Sequence, residues 1–301
     1  MNILITGGTG FIGSTLCKRL LDNNNDIVVL SRRADAIEKP LRGINTFDEL
    51  KSDVTFEVVI NLAGEPIADK RWSDQQKQRI LNSRLDTTKK LVEYLKTTQH
   101  KPKLLISGSA IGFYGVGETN DQLVDENTGG DNSFSSHLCQ QWEAAALQAQ
   151  VLGIRTCLLR TGIVLGGGGG ALNKMLPPFK FGLGGKIGTG EQWMSWIHLD
   201  DLIGIILYCI EHENLNGAVN GTSPKPVTNQ VFTKTLGKVL KRPTCLAMPK
   251  FVIKLLMGQM GEELLLTGKR VLPAKILSAG YAFKYQTLET ALLDVIKENP
   301  T

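Results

Sequence analysis

Residues 7–13 read Gly7-Gly8-Thr9-Gly10-Phe11-Ile12-Gly13, directly after the apolar run Ile3-Leu4-Ile5 and before Leu16, Leu20 and Leu21. A glycine-rich turn between a first strand and a first helix leaves bare backbone N–H groups facing a ligand. The helix N-terminus adds partial positive charge at the same point. Strand, turn and helix follow one another at the start of the chain, which is the context a dinucleotide fingerprint demands. Two frames fit, Gly7-x-x-Gly10-x-x-Gly13 and Gly8-x-Gly10-x-x-Gly13. Gly10 leaves room for a pyrophosphate, and Gly13 lets helix pack closely on strand. The chain is therefore expected to bind a nicotinamide dinucleotide, with Gly7, Thr9, Gly10, Phe11, Ile12 and Gly13 around its phosphates.

The end of the second strand refines this expectation. An NAD-selective site carries Asp or Glu about 20 residues past the glycines, to hold the ribose 2′-hydroxyl. Here Val28-Val29-Leu30 leads into Ser31-Arg32-Arg33. A guanidinium pairs with a 2′-phosphate through charge-assisted bonds and stacks on adenine, whereas a carboxylate repels it. The spacing predicts NADP(H) rather than NAD, with Ser31, Arg32 and Arg33 as the contacts; two plain surface arginines are the alternative.

The first half alternates strand and helix signals, the pattern of a parallel sheet covered on both faces. Strands are expected at 2–6, 27–31, 58–62, 104–107 and 155–160, with helices at 11–23, 74–97 and 137–152. An α/β, doubly wound parallel sheet follows, with its ligand crevice at the strands' carboxyl ends. The expected division is a dinucleotide-binding domain over 1–215 and a smaller C-terminal substrate lobe over 216–301, its tail distinct from about residue 247. Later helices are expected at 199–211, 229–241, 249–257 and 288–297. The glycine run 166–170 reads either as a flap that orders over cofactor or substrate or as a slack surface linker. Asn61-Leu62-Ala63-Gly64 closes the strand at 58–62. Its small residues let backbone approach the cofactor's ribose, unless they form only a strand-ending turn.

Composition excludes several classes. In 301 residues the net charge is +5, with 42% hydrophobic and 21% charged residues, ordinary for a chain with a sizeable core. The basic pairs Arg32-Arg33, Lys89-Lys90 and Lys241-Arg242 are scattered, so no nucleic-acid partner is expected. The five cysteines, Cys17, Cys139, Cys157, Cys209 and Cys245, have no C-x-x-C spacing. Neither zinc nor a disulfide framework is expected, and a reducing cytoplasm suits them. The longest apolar stretch, 205–210, is too short to span a bilayer, and no membrane partner is expected.

Further landmarks are Ser107-Gly108-Ser109-Ala110 with Tyr114-Gly115, Arg160-Thr161-Gly162, Ile163-Val164-Leu165-Gly166, and Trp196-Ile197-His198-Leu199-Asp200-Asp201. With these the chain resembles the extended short-chain dehydrogenase/reductase superfamily in its NAD-dependent epimerase/dehydratase branch. Adding Arg71-Trp72, Ser83-Arg84, Gly184-Gly185-x-x-Gly188-x-Gly190 and Gly280-Tyr281-x-Phe283, it is similar more narrowly to the YfcH-like epimerase-family proteins. The resemblance covers essentially the whole chain. It implies cofactor contacts from Asn61, Leu62, Ala63, Gly64, Arg84, Ser107, Thr161, Gly162, Ile163 and Val164.

The same resemblance exposes a departure. The superfamily's acid/base is a Tyr-x-x-x-Lys pair, whose lysine holds the nicotinamide ribose and lowers the phenol's pKa. The tyrosines here, Tyr94, Tyr114, Tyr208, Tyr281 and Tyr285, are followed four places on by Thr98, Glu118, His212, Tyr285 and Glu289. Alignment on Trp142-Glu143 places Ser135 and Cys139 in the two roles. The remaining candidates for catalysis are Ser109, which would bind a substrate carbonyl or hydroxyl; Tyr114, the nearest phenol; Ser135; and His137, an imidazole near neutral pKa. Two functions are carried forward. One is an NADP(H)-dependent oxidoreductase or epimerase acting on an unidentified small molecule. The other is a redox-inert, NADP(H)-responsive regulatory or interaction protein. Either is expected as a monomer or homodimer.

Overall fold

Ile3, Leu4 and Ile5 are wholly buried because β1, Asn2–Thr6, runs through the middle of a sheet covered on both faces. In the computed structural model, which describes residues 1–51, 53–117 and 121–298, six more strands join it. They are β2 (Asp26–Leu30), β3 (Arg42–Ile44), β4 (Val58–Asn61), β5 (Leu104–Ala110), β6 (Arg155–Thr161) and β7 (Gly217–Gly221). Their spatial order is β7-β6-β5-β4-β1-β2-β3, and every pairing is parallel. This is the doubly wound arrangement, with the crevice beyond Thr6, Asn61 and Ser107.

Alternation along β1 divides the core. Ile3 and Ile5 face α1 (Phe11–Asp22) and α5 (Leu199–Glu211), packing with Leu16, Leu20, Ile205 and Ile206. Leu4 faces α2 (Asp74–Thr97), packing with Leu91 and Leu95. Period-two side chains on a central strand produce that split without further instruction. Ser73 starts α2 by accepting the Gln76 amide at 3.2 Å, and α3 (Phe134–Leu147) starts at Ser133, which accepts the Ser136 amide. The cap at Ser133 explains why α3 begins three residues before the expected start at 137.

Two sheet strands escaped the sequence pattern. β3 has three residues, one a glycine, and β7 is bounded by Gly217 and Gly221. Glycine dilutes the β-branched signal that marks a buried strand. The sheet thus continues past residue 215.

Beyond the sheet lie α4 (Gly170–Lys180), α6 (Asn229–Leu240), α7 (Lys250–Met257) and α8 (Leu288–Glu298). Two short pairs stitch the lobe to the sheet domain, 193–194 with 227–228 and 123–124 with 270–271, and 163–165 pairs with 196–198 within the sheet domain. Met194 and Trp196 pack with Phe232, Leu288 and Leu292 of the lobe in one shared core. The run at 166–170 leads into α4 rather than standing off as a loop. Gly168 and Gly170 hold φ near +74° and +69°, and a Cβ at Gly169 or Gly170 would collide with the Phe11 ring. That close packing opposes the reading of a slack linker. Among the described residues, no helix is long and apolar enough to cross a membrane.

Candidate dinucleotide site and the buried network behind it

The glycine turn lies between β1 and α1, at the carboxyl edge of the sheet. Gly7 takes φ +74°, where an L side chain is strained, and its carbonyl accepts the Gly10 amide at 3.0 Å. A Cβ on Gly13 would overlap that same carbonyl, so helix and turn touch there without side chains. Gly10 differs. A Cβ on it would meet only the Gly7 oxygen, at 3.3 Å, so the protein's own packing hardly requires a glycine there. Its bareness faces open space. No side chain caps α1 and no acid occupies its first turn, which leaves its first amides for an anion. Thr9 is exposed on the turn, with Phe11 and Ile12 half-buried behind it.

Ser31 follows β2 and accepts the Arg33 amide on its hydroxyl at 3.2 Å. Arg32 and Arg33 are exposed, and neither takes part in an ion pair among the described residues.

Asn61 is a tie. Fully buried, it accepts from Thr6 Oγ1 at 2.6 Å and donates to Thr88 Oγ1 at 2.8 Å and Ser107 Oγ at 3.3 Å, binding β1, β4, β5 and α2 together. Ser107 is thereby committed inside the sheet. The backbone of Leu62 and Ala63 presses on the turn, since a Cβ at Gly7 would lie 2.7 Å from the Leu62 carbonyl carbon. Gly64 meets the Arg84 guanidinium, which donates to the Glu65 and Ile80 carbonyls at 3.1 and 3.0 Å and lies over the Trp142 ring. Burial lowers the Arg84 pKa. Thr161 ends β6; Gly162 and Ile163 are held by the Gly221 and Ser195 carbonyls, and Val164 pairs with Ile197.

Of the expected catalytic residues, Ser109 and Tyr114 share one buried network, while Ser135 bonds to Glu263 and His137 is exposed. Ser109 donates to Glu143 Oε1 at 2.6 Å and is buried. Glu143 also receives Arg160, Nε to Oε1 at 2.8 Å and Nη2 to Oε2 at 2.9 Å, both side chains 6% exposed. Burial opposes the Arg160 charge; hydrogen bonds and attraction from Glu143 outweigh it and raise its pKa. Tyr114 donates to Asn220 Oδ1 at 2.7 Å and accepts from Arg160 Nη1 at 3.1 Å. Burial pushes its phenol up to about 12, with Arg160 pulling the other way. Tyr114, expected as an acid/base, lies as a strut in this buried network. His137 is exposed on α3.

Ser135 is buried at the start of α3, and its hydroxyl donates to the Glu263 carboxylate. Nothing in the sequence pattern signalled Glu263, which comes from a π-turn at Glu262–Leu266, or the convergence of Glu143, Arg160 and Asn220. Trp72 and Trp196 are core residues, and Trp193 carries Arg270 on its face at 4.7 Å. Among the described residues no group of His, Cys, Asp or Glu is placed to hold a metal ion.

Residues 3–220 match the NAD dependent epimerase/dehydratase family, and residues 248–295 match a domain of unknown function, DUF1731. The chain is 39% identical over 292 residues to the epimerase family protein ML0860 of Mycobacterium leprae, covering 96% of this chain and 94% of that one. It is 37% identical over 306 residues to the Bacillus subtilis epimerase family protein YfhF, covering all of both. A crystal structure of human epimerase family protein SDR39U1 (isoform 2) with NADPH superposes with a TM-score of 0.89 at 34% identity, covering 99% of each chain.

Proposed function

From the premise that this chain belongs to the NAD dependent epimerase/dehydratase family, we propose that it binds NADP(H) and acts on a small molecule as an oxidoreductase or epimerase. The observation that carries the cofactor reading is Gly10, a glycine with little internal reason to be one, at the uncapped head of α1. The phosphates would lie on that head. Arg32 and Arg33, exposed and without ion pairs among the described residues, would take the 2′-phosphate. The human relative crystallised with NADPH supports the same choice. When bound, such a cofactor supplies hydride transfer. The chain's own contribution is to orient it: Leu62–Gly64 and Arg84 wall the crevice beside the turn, and Asn61 fixes that wall in place.

One observation favours a second reading, a redox-inert protein that responds to NADP(H). Ser109 and Tyr114, the hydroxyls nearest the expected chemistry, are consumed by Glu143, Asn220 and Arg160. A group so engaged is poorly placed to pass a proton to a ligand.

Calorimetric titration with NADPH and NADH tests the cofactor reading. The expected result is saturable NADPH binding, tighter than NADH by about 10- to 100-fold, the worth of one or two charge-assisted hydrogen bonds. An Arg32→Ala/Arg33→Ala variant should erase the difference, and equal affinities in the unaltered protein would overturn the assignment. Incubation with NADPH and a carbonyl panel then separates the two readings, since steady NADPH consumption excludes the inert one.

A further inference from the structure

Between Glu213 and Glu262 the chain contains no aspartate or glutamate, although it holds 29 acidic residues among 301. That interval carries Lys225, Lys234, Lys238, Lys241, Arg242, Lys250 and Lys254. The segment 170–190 adds Lys174, Lys180 and Lys186, again without an acid. Folding brings the two segments together. Gly188 donates to the Met248 carbonyl and Met248 to that of Lys186, both at 2.8 Å, while Arg242 Nε reaches the Lys180 carbonyl at 2.9 Å. A ribbon formed by 180–188 and 242–248 therefore runs directly into α7.

This ribbon and α7 expose large apolar side chains beside the cations. Phe181 is 80% exposed, Leu255 72% and Phe251 69%, joined by Leu183, Leu246 and Leu256. Lys180, Lys186, Lys234, Lys241, Arg242 and Lys250 have no ion-pair partner among the described residues; Lys254 is paired with Glu262 and Lys238 with Glu289. Lys186 and Lys234, with Thr244, line a shallow hollow of about 210 Å³ on the same side.

We infer that this face docks on an anionic phospholipid bilayer, with Phe181, Phe251 and Leu255 entering the headgroup boundary and the unpaired cations meeting lipid phosphates. Exposed leucine and phenylalanine set among lysines is the composition of an interfacial surface. Cations without neighbouring acids draw toward a negatively charged leaflet and lose that attraction in salt. A second copy of the chain fits less well, because a two-fold contact would set the unpaired cations of this face against one another. Peripheral docking needs no spanning segment. It therefore departs from the expectation of no membrane partner without requiring a long apolar helix. None of the face's residues belongs to the glycine turn or to 31–33, so the inference stands apart from the cofactor reading.

The test is co-sedimentation of the full chain with vesicles of phosphatidylcholine alone and of phosphatidylcholine mixed with phosphatidylglycerol. Sedimentation is expected with the mixed vesicles only, and should weaken as salt rises. Phe251→Ser/Leu255→Ser and Lys241→Glu/Arg242→Glu should each lower partitioning about tenfold. All these positions are exposed, and unchanged NADPH binding checks that each variant is folded. The inference is overturned by any of three results: no sedimentation with mixed vesicles, equal sedimentation with neutral ones, or variants that partition like the parent. A dimer that dissociates in Phe251→Ser/Leu255→Ser, or poly-glutamate binding without vesicle binding, would assign the face to a protein partner instead.

Discussion

Both oxygens of the Glu263 carboxylate meet the first turn of α3, one taking the Ser135 amide at 2.9 Å and the other the Phe134 amide at 3.3 Å. The Ser135 hydroxyl joins the first of these. A residue of the C-terminal tail thus satisfies helix amides 128 positions earlier in the chain, where negative charge also complements the helix dipole. Trp72, Phe134, Leu138 and Met260 close the apolar side of the same junction.

Removing that clasp should loosen the tail. Glu263→Ala is expected to lower the unfolding free energy by about 1–3 kcal/mol, since a hydroxyl and two amides lose their acceptor. Ser135→Ala should lower it by no more than about 1 kcal/mol, because the backbone contacts persist. Urea denaturation of the two variants measures the difference.

The Arg160–Glu143 pair gives a larger effect. Glu143→Leu leaves a guanidinium buried without its partner and should reduce stability by about 3–5 kcal/mol. Replacing both residues with apolar ones should restore much of this, whereas independent contributions would add. Chemical denaturation of the two single variants and the double variant tells these outcomes apart.

Gly10 and Gly13 should separate binding from folding. Gly13→Ala drives a methyl group into the Gly7 carbonyl and is expected to destabilise the protein. Gly10→Ala should change stability by less than about 1 kcal/mol while greatly weakening NADPH binding. Thermal denaturation beside calorimetric titration checks both. A Gly10→Ala protein with undiminished NADPH affinity would contradict the proposed cradle.

His198 sets a pH dependence. Its Nδ1 accepts the Asp200 amide at 3.1 Å, capping α5, and its ring lies 3.8 Å from that of Tyr285. Burial lowers its pKa below 6.5, against the pull of Asp200, Asp294 and Asp201. The unfolded chain therefore takes up this proton before the folded one does. Stability should be unaffected by His198 above pH 6.5 and should fall as pH drops below it, toward the lowered folded pKa. His198→Asn keeps a capping acceptor and should remove this limb from a pH series of melting temperatures. Asp200 acts at lower pH: its burial is outweighed by Lys284, which holds its pKa below 3.8.

Much of the architecture was legible because central parallel strands are short unbroken apolar runs, and Ile3–Ile5, Val58–Ile60 and Leu104–Ile106 are of that kind. The glycine turn was legible because its demands are local, met within one strand–helix unit. The interior behind it was not. Tyr114 read as the nearest phenol to the chemistry, and no periodicity reveals that Asn220, 106 residues away, accepts its hydrogen bond. Arg160 sits on a buried strand where charge is unexpected, and only the third dimension supplies Glu143. Glu263 was hidden for the same reason. Pairings made by tertiary approach leave no spacing in the sequence.

Phe11 follows Gly10 in the chain, and its ring is wedged beneath Gly166, Gly169 and Gly170 at the head of α4. The loop that would grip a nucleotide and the entrance to the smaller lobe therefore share a single aromatic fulcrum. Tightening one end of that lever should be felt at the other with no hinge in between. Substitutions at Gly169 are thus expected to alter nucleotide affinity from outside the nucleotide loop.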